Sequence, residues 1–90
     1  MTLEEARQDI DKIDNELKTL FFERMKVSAK IAEIKKETGD EIYKPDREKI
    51  VIERLSQGVD EDVREEYQAF VKSIMEISRN YQFKKISEKN

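Results

Sequence analysis

Apolar residues recur from the start of the chain at alternating steps of three and four: Leu3, Ala6, Ile10, Ile13, Leu17 and Leu20, then Val27, Ile31 and Ile34. This is the a/d seam of a heptad helix. Arg24 stands on the same seam between Leu20 and Val27, so a guanidinium occupies a place where every neighbouring seam position is apolar. Thr2 is placed to cap the helix and Glu5 to close a capping box. Gly39 suits the position just past the last turn. The pattern predicts a first helix over about residues 3–38, a rod of about 50 Å.

The linker "DEIYKP" reads as extended, because the residue before Pro45 is pushed out of the helical region. Pro45 suits the first position of a second helix, with Asp46 and Glu48 in its first turn. That helix is predicted over about residues 45–57 and stops before Gly58. Asp60 or Asp62 caps a third helix over about residues 61–85, with the seam Val63, Tyr67, Phe70, Ile74, Ile77 and Tyr81. The tail "KKISEKN" is expected to fray. No repeat, low-complexity tract or domain boundary interrupts residues 1–90. The expectation is one all-α domain of one long, one short and one medium helix.

The helix lengths do not match. A rod of about 50 Å cannot be covered along its seam by helices of about 18 and 36 Å from the same chain. An antiparallel homodimer, in which the long helices of two copies pack together and the short helices fold around them, supplies the missing cover.

Composition narrows the chemistry. Gly and Pro are nearly absent and charged residues make up 43% of the chain, which suits long helices and argues against a sandwich or barrel. There is no cysteine and no histidine, so thiolate chemistry and the commonest general base are excluded, and no metal or cofactor is expected. A net charge of −3 disfavours nucleic acid. No apolar run approaches a membrane span or a signal segment, and a cytoplasmic location is expected.

The polar residues beside the seam carry the functional signal. Arg24 and Lys35 are eleven residues apart, three turns plus about 20°, so both point the same way about 16 Å apart, with Ser28 on the same face. Two long cations so placed can clamp a small anion. Arg7 lies about 25 Å from Arg24 on the same helix and cannot reach such a ligand. If two antiparallel copies cross near residues 18–20, Arg7 of one falls opposite roughly residues 29–33 of the other, between Arg24 and Lys35. Arg47 and Glu48 open the second helix, where backbone N–H groups favour an anion. Ser78 and Gln82 stand at i and i+4 in the third. Each also has an ordinary reading: solvated surface cations, a seam arginine that sets register or pairs with a partner's carboxylate, and polar flanks.

Taken in order, "LEEARQDIDKIDNELKTLFFERMKVSAKIAEIKK", "IYKPDREKIVIERL" and "ISRNYQ" resemble the all-helical class of chorismate mutases over about residues 3–83. The resemblance implies an intertwined helical homodimer with two active sites, each completed by an arginine of the other chain. It implies the Claisen rearrangement of chorismate to prephenate in phenylalanine and tyrosine biosynthesis, without metal or cofactor. Matched residue by residue, Arg7 of the other chain, Arg24 and Arg47 would hold the two carboxylates. Lys35 and Gln82 would donate to the ether oxygen, Glu48 would meet the ring hydroxyl, and Ser78 would support a carboxylate. On this view Arg24 interrupts the seam because the seam doubles as the wall of an anion pocket. Lys44 departs from the pattern, since many relatives carry Asp there: if the contact at that place is made by backbone little is lost, and if it is made by the carboxylate the substitution weakens ring-hydroxyl recognition while the extra cation adds to substrate binding. Alternatives from the residues are an isochorismate–pyruvate lyase of the same fold and a non-catalytic helical dimerisation or regulatory module.

Overall fold

The computed structural model describes residues 1–88. Helix α1 runs Leu3–Thr38, α2 Pro45–Ser56 and α3 Arg64–Glu88, with a single 3₁₀ turn over Glu61–Val63 between the last two. All regular structure among the described residues is helical, as the periodicity predicts.

Local chemistry sets the ends. The Thr2 side chain accepts from the Glu5 backbone N–H while the Glu5 carboxylate reaches back to the Thr2 N–H, closing the capping box at the start of α1. Gly39 stops the helix in the left-handed region at φ 74°, and its N–H and that of Asp40 both turn back to the Lys35 carbonyl. Pro45 opens α2, preceded by Lys44 in a non-helical conformation that offers no side-chain cap. Asp60 accepts from the Asp62 N–H and starts the 3₁₀ turn that leads into α3. α3 continues through Glu88 where fraying was expected; Lys89 and Asn90 of that tail lie outside the described residues.

The three helices do not make a compact body. α1 is 36 residues long, and the molecule extends 53 × 26 × 14 Å. Its radius of gyration is 16.4 Å, against about 12 Å for a compact chain of this length. The accessible surface is 7338 Å², against roughly 5,500 Å² for a folded monomer of this mass. Among the described residues only Ala32, Val71 and Met75 are buried apolar residues. A core of that size cannot hold a chain of this length by itself.

What is buried differs in one respect from the predicted pattern. On α1 the buried residues are Ser28 and Ala32; on α3 they are Val71, Met75, Ser78 and Gln82. On both helices this row lies one residue, about 100°, to the side of the predicted seam. Leu20 (59% exposed), Ile34 (57%), Phe70 (48%) and Ile77 (48%) remain open. The physical reason is that Ser28, Ala32 and Ser78 are small enough for the helices to approach closely and, with Gln82, to pair across the junction, while Val71 and Met75 fill the rest of the row. The large seam residues leave much of their apolar surface exposed.

Gly39→Ala isolates the cost of the α1 stop. Nothing lies within 4 Å of an added Cβ, so any loss comes from backbone strain at φ 74°. Urea unfolding at fixed protein concentration should show a loss of about 1–2 kcal/mol, with Gly39→Asn losing less. Equal stability of Gly39→Ala and wild type would mean that the left-handed stop is not held in solution.

Candidate active site

The C-terminal half of α1, the linker, one face of α2 and the C-terminal half of α3 line a groove of about 390 Å³. Its floor is a buried polar junction. The Ser28 hydroxyl is hydrogen-bonded to that of Ser78, and Gln82 Nε2 donates to Ser28 Oγ (3.1 Å) and Ser78 Oγ (3.4 Å). Gln82 Oε1 is buried and has no hydrogen-bond partner. A buried carbonyl oxygen left unpaired is uncommon and costly.

The walls are strongly cationic. Arg24 and Lys35 come from α1, Lys44 from the linker, Arg47 and Arg54 from α2, and Arg79 from α3; Glu48 is the single carboxylate among the lining residues. Six cations and one anion line this groove on a chain whose net charge is −3. Such an arrangement raises the local concentration of a small anion and holds it with charge-assisted hydrogen bonds.

Three of these cations have partners. Lys35 Nζ donates to the Ile42 carbonyl (3.1 Å), which ties the linker over the end of α1. An ammonium carries three donors, so this contact leaves capacity for a ligand. Lys44 Nζ pairs with Asp40 Oδ2 at 2.7 Å, and this hydrogen bond holds the Asp40 carboxyl below the usual carboxylate range. Both side chains are exposed, so the pair adds little stability, but it draws part of the Lys44 charge away from the groove. Arg79 Nη1 meets both Glu48 oxygens, at 2.7 and 2.8 Å, and the hydrogen bond raises the pKa of Arg79 above its ordinary value.

Seven of the eight residues singled out from the sequence therefore line one groove: Arg24, Lys35, Lys44, Arg47, Glu48, Ser78 and Gln82. Arg7 does not. It stands exposed near the start of α1, about 25 Å along the helix from Arg24. Sequence reasoning missed Arg54 and Arg79. Arg54 had a usable signal, since it follows Arg47 by seven residues, two turns on the same face. Arg79 had none, because its partner Glu48 is 31 residues away on another helix.

A family model described as chorismate mutase type II matches residues 6–83. The chain is 38% identical over 66 residues to the chorismate mutase of Methanocaldococcus jannaschii, which covers 68% of this chain and 67% of that protein. It is 40% identical over 53 residues to the bifunctional chorismate mutase/prephenate dehydratase of Aquifex aeolicus, covering 59% of this chain and 15% of that protein. No solved structure matches.

The charge of the groove makes a prediction independent of any reaction. A small dicarboxylate such as succinate, at a concentration on the order of 10 mM, should raise the melting temperature, and added salt should weaken the effect. Arg47→Gln should reduce it. An unchanged melting temperature at low salt would show that these cations do not act together on one ligand.

Proposed function

The chain belongs to the type II chorismate mutase family, and on that premise we propose that this groove binds chorismate and carries its rearrangement to prephenate. The enzyme is an isomerase. The observation that carries the reading of the site is the convergence of six cations, one carboxylate and a buried amide with an unpaired end.

Chorismate is a dianion with one ring hydroxyl. Its rearrangement breaks an ether C–O bond and forms a C–C bond within one molecule, so no proton, electron or leaving group is exchanged. The protein's task is to hold the reactive shape and stabilise the charge that gathers on the ether oxygen. Arg24 and Arg47 are assigned to the carboxylates, with Ser78 supporting one of them and Lys44 adding charge at the rim. Lys35 and Gln82 are assigned to the ether oxygen and Glu48 to the ring hydroxyl. For Gln82 to donate there, its amide turns by 180°: Oε1 then accepts from whichever serine hydroxyl does not donate to the other, and Nε2 takes the place of the unpaired oxygen. One rotation both removes the orphaned acceptor and supplies the donor.

Two features of the fold support a dimer in which each groove is completed by its partner. The seam of α1 is exposed, and the surface exceeds that of a compact monomer by roughly 1,800 Å², an area in the range that obligate dimers bury per subunit. An antiparallel pairing of the α1 seams carries Arg7 of one copy to the Arg24–Lys35 face of the other. No described helix is long and apolar enough to cross a membrane, and a cytoplasmic location agrees with the family's biosynthetic role.

The direct experiment is an assay of purified protein with chorismate, followed by loss of its absorbance, beside a parallel assay with isochorismate. Turnover of chorismate to prephenate is expected; release of pyruvate from isochorismate alone would assign the groove to the lyase.

Lys35→Ala should keep the fold and lower kcat by on the order of 10²–10³-fold, the usual cost of losing a preorganised donor. Activity within a few-fold of wild type would remove Lys35 from the mechanism. Gln82→Glu replaces an amide, which does not titrate, with a carboxyl group that donates only when protonated. Its activity should fall as pH rises, while the wild type shows no such limb from this position. An unchanged profile would mean that residue 82 does not face the breaking bond.

A further inference from the structure

Glu48 is the one carboxylate in a groove lined by six cations. Its partner among them is Arg79. A single guanidinium nitrogen sits against both carboxylate oxygens, 2.7 Å from Oε1 and 2.8 Å from Oε2. The two side chains are 22% and 25% exposed, so the pair belongs to the groove wall and is shielded from bulk water more than a surface pair.

Arg79 is itself fixed from a second side. Its guanidinium carbon lies 4.2 Å from the centroid of the Tyr43 ring, a cation–π contact with the linker. Tyr43, Glu48 and Arg79 thus join the linker, α2 and α3 at one point. The geometry leaves Glu48 with work to do. A carboxylate offers about four lone-pair sites, and one nitrogen shared between its oxygens occupies one on each. The others remain open to a hydroxyl donor.

We propose that Arg79, braced by Tyr43, is a positioning residue for substrate hydroxyl recognition: it orients Glu48 as the acceptor. The proposal rests on the reading of this groove as the chorismate site. Arg79 touches Glu48 and not the reacting atoms, so its effect must pass through Glu48 and through the hydroxyl that Glu48 receives.

The test compares two substrates, chorismate and an analogue lacking the ring hydroxyl, on Arg79→Met and Arg79→Lys, each alone and with Glu48→Gln. Methionine keeps an apolar stem against Tyr43, and circular dichroism monitors folding. Arg79→Met should lower kcat/KM for chorismate by about 10–100-fold, a cost expected from a misplaced binding group, and change it for the analogue by less than about 3-fold. Lysine should recover part of the loss. On the Glu48→Gln background, Arg79→Met should add little. Equal losses on both substrates, or losses that multiply in the double variant, would overturn the role of Arg79 while leaving the mutase reading intact. If Arg79→Met does not fold, the same comparison of substrates with Arg79→Lys decides between these outcomes. A wild-type protein that does not turn over chorismate would overturn the function on which the proposal depends.

Discussion

The junction of Ser28, Ser78 and Gln82 fixes how the long helix meets the last one. These side chains are buried and hydrogen-bonded to one another across the α1–α3 contact. A polar group buried there is costly unless paired, so the helices have one favourable register and are penalised in others. From that register the rest of the groove follows. Arg24 is four residues before Ser28 and Lys35 seven after it, so both emerge on the same side as the junction. Lys35 in turn holds the linker through the Ile42 carbonyl, and the linker delivers the start of α2 with Arg47 and Glu48.

The same junction explains why the chain looks unfinished. Close approach of α1 and α3 uses small and polar residues, and this row lies beside the large apolar seam of each helix. The buried row builds the floor of the groove within a chain, and Arg24, Val27 and Ile31 of the seam form part of its wall; in the proposed dimer the rest of the seam would pack on a second copy. Arg7 is where the two demands meet. It is too far from its own groove to serve it, yet it sits on the segment of α1 that an antiparallel partner would bring alongside.

Helix existence and the main cations were legible from local rules: heptad spacing, the Thr2–Glu5 capping box, Gly39, and Pro45 ahead of Asp46 and Glu48. Arg24 with Lys35 and Ser78 with Gln82 were legible because helical arithmetic pairs them without knowledge of the third dimension; the site roles of Lys44, Arg47 and Glu48 came with the family resemblance, and Arg54 was missed. The buried row was not legible. Heptad counting finds the most apolar stripe and assumes that it is the interior, whereas here the interior of the single chain is the stripe one residue further on. The Glu48–Arg79 pair was also hidden, since it joins two helices through packing that no local pattern encodes. Lys44 was read as an added pocket charge, and its pairing with Asp40 depends on the turn of the linker between them.

In the proposed dimer each site is assembled from two copies of the chain. The most direct measurement mixes two variants that are each nearly inactive as homodimers, Arg7→Ala and Lys35→Ala, and refolds them together. In a mixed dimer one groove carries both defects, while the other takes its arginine from one chain and its lysine from the other and is whole. A statistical mixture should recover about a quarter of wild-type activity, since about half the dimers are mixed and each has one whole groove. Activity that stays near zero, with mixed dimers shown to be present, would contradict the account and place Arg7 outside the partner's groove.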